Sequence, residues 1–250
     1  MWTPDALSSE ARPYRAEVWR VVESQSRAAT MRLTDSLHDQ QLLEDLIDEV
    51  KPALPPACRG LHYLLATPFR YAPYPHGSRF RRAGQRDGVF YAAEDVFCAM
   101  AETAFYRLLF FAESPATRLP ERPTEHTAFA VPCASERALD LTAPPLSDDG
   151  AQWTDRSDYA ACQALADTAR AAGVEVIRYA SVRDPDGGRN VAVLTPAALA
   201  AREPQQVQTW RVFIRLAGVQ VAREFPPATR EYPEADFGAD PRLATFWQRP

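Results

Sequence analysis

The chain has 250 residues, 46% of them hydrophobic, and a formal net charge of −5. That length and apolar share allow one large domain, or one domain with extensions, around a real core. The acidic balance argues against a dedicated nucleic-acid binder, and no apolar run approaches the ~18 residues of a spanning helix.

The start, Met-Trp-Thr-Pro-Asp-Ala-Leu, lacks the charged-then-apolar layout of a secretory signal, so a cytoplasmic placement is expected. Cys58, Cys98, Cys133 and Cys162 are scattered, which suits structural thiols in a reducing compartment. His38, His62, His76 and His126 form no ligand pair at helical or loop spacing, and no metal is expected. Lys51 is the only lysine, with no Gly-rich loop before it and no Ser or Thr after it. Schiff-base and phosphate-loop mechanisms are thereby effectively excluded.

In chain order, residues 1–14 carry Pro4 and Pro13 and predict a loose or draped terminus. Residues 16–24 predict a strand bearing Arg20. Thr34 or Asp35 can cap a helix running to about Val50, striped by Leu43, Leu46, Ile47 and Val50 and ended by Pro52. Residues 60–66 suit a short helix or strand, and 68–75 an aromatic, proline-punctuated loop. Residues 88–92 predict a strand and 93–112 a helix, with Glu94 and Asp95 in its first turn, where acids suit the helix dipole.

Residues 127–133 and 138–141 predict two strands, with loops over 119–125 and 144–150. A helix over 157–172 carries Tyr159, Cys162, Leu165, Ala166 and Ala169 on one face and is closed by Gly173. Residues 174–181 and 190–194 predict strands joined by the Asp186-Gly187-Gly188 turn. Thr195-Pro196 opens a short helix, and 209–216 with 219–225 form a hairpin. From Pro226 onward the proline-rich tail is expected to wrap the surface. The mixture is α+β, without regular βαβ alternation. The expected organisation is an N-terminal extension over 1–60 with the first strand and one amphipathic helix, a core over 61–225, and a C-terminal tail over 226–250.

Glu102 has Cys98, Ala99, Phe105 and Tyr106 as helical neighbours, so its carboxylate lies on an apolar or aromatic face. It is either a rim glutamate paired to Arg107 or another arginine, or a cavity-lining group whose burial needs compensation. Arg79, Arg81, Arg82 and Arg86 crowd one short stretch. That stretch is a solvated basic loop or an anion trap, since guanidinium groups grip phosphate oxygens in a fork. In an extended segment, Arg79 and Arg81 point away from Phe80, and Arg79 is the expected inward group. Tyr91 is a core residue or an aromatic face with a hydroxyl for a nucleotide. Ser181 and Arg183 stand where a strand runs out into the Gly-rich turn, and Asn190 returns on the next strand. No G-x-G-x-x-G occurs, so a Rossmann cofactor site is not supported.

Taken in order, Arg20, Arg79-Phe80, Tyr91-Ala92, Glu102 and Ser181 resemble the motifs of the RES domain family, the toxin half of RES–Xre toxin–antitoxin pairs. The separations of 12 residues from Arg79 to Tyr91 and 11 from Tyr91 to Glu102 are similar to the family's. The resemblance covers roughly residues 19–194, and the segment 64–71 looks like the longer subgroup with an added N-terminal region. It implies a single α+β domain similar to ADP-ribosyltransferase toxins, with NAD⁺ as substrate and no permanently bound cofactor. Arg79, Tyr91 and Glu102 are the implied catalytic set; Arg20, Arg81, Ser181, Arg183 and Asn190 are implied to bind substrate. Breaking the nicotinamide–ribose bond builds positive charge on the ribose, which a fixed carboxylate stabilises.

The expected function is therefore a type II toxin acting as an NAD⁺ glycohydrolase or phosphorylase, restrained by an Xre-type antitoxin, with no membrane and no direct nucleic-acid partner. The first alternative is a mono-ADP-ribosyltransferase with a protein acceptor. The second is a non-catalytic nucleotide-binding module, against which the joint presence of Arg79, Tyr91 and Glu102 weighs.

Overall fold

In the computed structural model, the described residues are 2–24, 34–50, 52–70 and 76–249. The strands are β1 (Arg12–Glu23), β2 (Phe90–Ala93), β3 (Thr124–Asp140), β4 (Val176–Ala180), β5 (Arg189–Val193), β6 (Gln206–Arg215), β7 (Gly218–Arg223) and β8 (Ala228–Pro233). The helices are α1 (Pro4–Glu10), α2 (Leu37–Val50), α3 (Tyr63–Ala66), α4 (Val96–Glu113), α5 (Gly150–Trp153), α6 (Ala160–Ala171), α7 (Glu234–Phe237) and α8 (Ala244–Trp247).

All eight strands belong to one sheet, ordered β1-β2-β5-β4-β3-β6-β7-β8. β1 also runs antiparallel along β3, from Arg12 opposite Ala138 to Glu23 opposite His126, and meets β2 where Trp19 faces Ala93. Strands β1, β2, β5, β4 and β3 therefore return on themselves as a closed ring, from which β6, β7 and β8 extend as a meander. One sheet with helices packed around it is a single α+β domain.

α4 organises the core. Asp95 caps it, its Oδ1 accepting from the amides of Phe97 (2.7 Å) and Cys98 (3.3 Å). Met100, Phe105, Leu108 and Phe111 are buried on different sides of the helix, so it needs cover on more than one face. The sheet supplies Trp210, Val212 and Val221, and the C-terminal segment supplies Tyr232, Phe237, Leu243 and Phe246. The tail, expected only to wrap the surface, packs these four side chains into the core. Proline content alone hid this, because Pro233 and Pro241 sit at the starts of short helical turns while Tyr232, Phe237 and Phe246 around them face inward.

The N-terminus likewise departs from a loose segment. Thr3 caps α1, whose Leu7 is fully buried, and β1 begins at Arg12. The sheet thus crosses both expected boundaries, 60/61 and 225/226, since β1 and β8 are integral strands. The two strands expected over 127–133 and 138–141 are one continuous β3. Pro132 is accommodated because the β6 ladder stops at Ala130, and the Pro132 carbonyl accepts from Ala200 N at 2.8 Å. Residues 146–153 form two short helical turns where a loop was expected. In α2 the expected apolar stripe is not sealed: Leu46 and Val50 are exposed. Lys51 and residues 71–75 lie outside the described residues.

The expected start of α4 at residue 93 is three residues early. Ala93 stays extended opposite Asn190 of β5, and Glu94 N prolongs the ladder to the Arg189 carbonyl at 2.9 Å. Glu94 is then free of the helix and receives the Arg178 guanidinium on both carboxylate oxygens, at 2.7 and 2.9 Å, with the Tyr14 hydroxyl at 2.9 Å. Burial alone would raise the Glu94 carboxyl, but the Arg178 and Tyr14 hydrogen bonds outweigh it and hold it below the usual carboxylate range.

Candidate active site

One face of α4 forms a wall of a cleft of about 560 Å³: Ala99, Glu102, Thr103, Tyr106, Arg107 and Phe110 all line it. Their i, i+3, i+4, i+7 spacing is one helical stripe, and from Ala99 to Phe110 it runs ~16 Å along the axis. The facing walls come from β1, from the loop before β2, and from the turn after β4.

Glu102 is the carboxylate of this cleft, and it is tethered. Its Oε1 accepts from Ser181 Oγ at 2.7 Å and from Asn190 Nδ2 at 2.6 Å. Arg107 is instead paired to Glu23, at 3.0 Å, so the rim pairing considered for Glu102 is not formed. Ser181 follows β4 and is itself fixed, its Oγ accepting from the amides of Arg183 (3.2 Å) and Asp184 (3.1 Å). Asn190 stands on β5 opposite Ala93 and Tyr179 and is buried. The turn between them approaches α4 so closely that a Cβ on Gly188 would stand 2.9 Å from Cys98 Sγ. That close approach is what brings Ser181 and Asn190 within reach of a helical side chain.

The arginine-rich loop is a tight turn, where the sequence suggested an extended segment. Ser78 and Arg81 pair backbone to backbone, at 2.8 and 3.2 Å, with Arg79-Phe80 at the tip. Phe80 is buried against Tyr179 at a ring separation of 4.9 Å, edge to face. Arg79 and Arg81 are both buried and line the cleft; Arg82 is exposed and pairs with Asp167 at 2.5 Å, and Arg86 is exposed. Arg79 donates to the carbonyls of Trp153 (2.7 Å) and Asp155 (2.8 Å), and its guanidinium lies 4.6 Å from the Tyr159 ring centre. It thus braces the 153–159 segment while presenting positive charge to the cleft.

Tyr91 ties this turn to β2. Its hydroxyl accepts from Phe80 N at 2.9 Å and lies 2.8 Å from Ser78 Oγ. Burial pushes the Tyr91 phenol up, against the lowering effect of those bonds and of Arg81 and Arg79, so it stays protonated at neutral pH. Arg20, on β1, donates to the Tyr91 carbonyl at 2.7 Å and lies 5.3 Å from the Phe90 ring centre, which fixes β2 from behind. Arg183 lines the cleft above Phe105, 3.8 Å from its ring centre, and forms a fully buried ion pair with Asp240 at 2.7 Å. Asp240 also receives Arg242 on both oxygens, at 3.0 and 2.9 Å. Among the described residues, no group of His, Cys, Asp and Glu is placed to hold a metal ion.

The family model described as RES domain matches residues 54–215, well over half of the chain. The chain belongs to the RES domain family. No curated protein gives a match. Among solved structures, the crystal structure of the M. tuberculosis MbcT–MbcA toxin–antitoxin complex aligns at 12% identity and a TM-score of 0.49, covering 82% of this chain and 89% of that one.

In this RES domain the cleft gathers Arg20, Arg79, Arg81, Tyr91, Glu102, Arg183 and Asn190 on its walls. Ser181 stands behind Glu102 as its tether. Sequence reading missed several further wall residues. Tyr106 and Arg107 were within reach, because they share Glu102's helical stripe at i+4 and i+5. Tyr159 and His126 were not, because only the tertiary fold brings α6 and β3 to the same cleft.

Proposed function

We propose that this RES domain cleaves the nicotinamide–ribosyl bond of NAD⁺, with water or phosphate as acceptor. The observation that carries the reading is the Glu102 carboxylate, held from one side on Oε1 by Ser181 and Asn190 in a cleft also lined by Arg79, Arg81 and Tyr91. Both bonds go to one oxygen, so the charge is oriented without being neutralised. A carboxylate fixed in this way stabilises the cationic ribosyl carbon as nicotinamide departs, with no reorganisation at the moment of reaction. Arg79 and Arg81 supply cations for the pyrophosphate, and the Tyr91 ring supplies a flat face, its hydroxyl being engaged by the 78–80 turn. Arg20 is a positioning residue, acting through the Tyr91 carbonyl. Arg183 contributes charge at the wall while anchored to Asp240.

Ser181 and Asn190 are likewise positioning residues. Ser181→Ala or Asn190→Ala removes one of two hydrogen bonds to Glu102, each worth about 1–1.5 kcal/mol, or roughly tenfold. The expected loss is in kcat, with KM nearly unchanged, because the bond orients a group that acts in the transition state. Steady-state kinetics of nicotinamide release check this, and a loss confined to KM would reassign both residues to substrate binding.

Family membership supports the wider reading of a toxin that acts on the cytoplasmic NAD⁺ pool and is restrained by an Xre-type antitoxin. Expression of the chain alone in bacteria is expected to arrest growth and lower cellular NAD⁺, and co-expression of the antitoxin is expected to restore both. Abundant folded protein with normal growth, unchanged NAD⁺ and no ADP-ribosylated protein would count against this reading. Growth arrest with an intact pool and a labelled cellular protein would favour the transferase.

A further inference from the structure

One to two turns of α4 beyond Glu102, ~8–12 Å along the helix axis, lies the far end of the cleft, its distal lobe. Its walls come from three elements: Glu23 on β1, His126 on β3, and Arg107 and Phe110 on α4. Glu23 and His126 are opposite each other across the β1–β3 ladder. Arg107 Nη1 lies 3.0 Å from Glu23 Oε2, and the guanidinium carbon lies 5.8 Å from the Phe110 ring centre. That ion pair cancels the charge of the lobe, which suits a neutral ring better than a phosphate or carboxylate. Phe110 and Trp19 add aromatic walls.

Two buried polar atoms of the residues that wall the lobe are unmatched. His126 is 1% exposed, and its Nδ1 faces the Thr124 carbonyl at 3.5 Å. A carbonyl only accepts, so the imidazole proton belongs on Nδ1 and Nε2 presents a lone pair. Burial holds the His126 imidazole below its usual range, which keeps it neutral at pH 7. His126 Nε2 is buried and meets no hydrogen-bond partner among the described residues, and the same is true of Arg107 Nε, a donor. A buried acceptor and a buried donor left unmade are costly, and a ligand offering the complementary pair relieves both. The edge of adenine does so, with its N6 amino donor beside its N7 acceptor.

We propose that this lobe binds the adenine ring of the dinucleotide, with His126 Nε2 accepting from the 6-amino group and Arg107 Nε donating to a ring nitrogen. The inference rests on the NAD⁺ reading and extends it to the base at the other end of the molecule. Glu102 then meets the nicotinamide ribose, and the helical stripe between spans the pyrophosphate. A base carrying a 6-oxo group presents an acceptor to the His126 lone pair and is disfavoured.

The test compares nicotinamide release from NAD⁺ and from nicotinamide hypoxanthine dinucleotide, which differ only at position 6 of the purine. The parent protein is expected to favour NAD⁺ by about tenfold in kcat/KM, the difference lying in KM. In His126→Ala that ratio is expected to collapse to about twofold or less, while kcat on saturating NAD⁺ is kept. Equal kcat/KM for the two dinucleotides in the parent overturns the adenine assignment and leaves the NAD⁺ reading standing, a comparison that needs no variant to fold. A preference that survives in His126→Ala places the adenine elsewhere. No nicotinamide release from either dinucleotide by the parent defeats the NAD⁺ reading and this inference together.

Discussion

Glu102→Gln is expected to leave the protein folded and to lower NAD⁺ cleavage by about 10²–10³. The glutamine carbonyl can still accept from Ser181 Oγ and Asn190 Nδ2, so the tethers seen at 2.7 and 2.6 Å survive the substitution. What is lost is the negative charge proposed to face the ribosyl carbon, and such a charge acts most strongly where water is excluded. Thermal unfolding and nicotinamide release, measured on the same preparation, separate the two effects. Near-parental turnover would remove Glu102 from the chemistry, and a large drop in melting temperature would mark it as structural.

The largest effect on stability is expected at Asp240, outside the region first read as core. Asp240→Ala leaves Arg183 buried without its counter-charge and releases Arg242, a loss of about 3–5 kcal/mol for a broken buried pair. Burial alone would raise the Asp240 carboxyl, but the Arg242 hydrogen bonds and the Arg183 and Arg242 charges outweigh it and hold it low. The folded value therefore lies below the unfolded one of about 3.9. Its contribution is complete above that unfolded value and is lost as pH falls through the lower folded value. Urea titrations at neutral pH and at progressively acidic pH should show the gap between parent and Asp240→Ala closing only in the acid range. A gap of under about 1 kcal/mol at neutral pH would mean that water or relaxation compensates Arg183.

Two of the elements that build the cleft were legible because their signals are local. The α4 stripe shows in residues three and four apart, and the β4–β5 hairpin shows in Asp186-Gly187-Gly188 between apolar runs. Residue identities at Arg79, Tyr91, Glu102, Ser181 and Asn190 could be named, but not what each touches. Tyr91 as a tether for the 78–80 turn, and Arg79 as a brace for residues 153–159, depend on contacts 11 to 76 positions apart in sequence. The C-terminal segment was misread for the opposite reason. Its prolines are a strong local signal for breaks, while the burial of Phe237, Leu243 and Phe246 depends on α4, more than 100 residues earlier. The same distance hid the Asp240 anchor of Arg183. His126 was legible only as a histidine without a ligand partner, since its place in the cleft follows from the β1–β3 register.

The most direct measurement incubates the purified chain with NAD⁺ labelled separately on the nicotinamide and adenine halves, with and without inorganic phosphate. Free nicotinamide is expected in amounts matched by soluble ADP-ribose or its phosphate ester, with the adenine label absent from protein and the rate greatly reduced in Glu102→Gln. Intact NAD⁺ after prolonged incubation with folded protein, or adenine label transferred quantitatively to a protein acceptor, would contradict it.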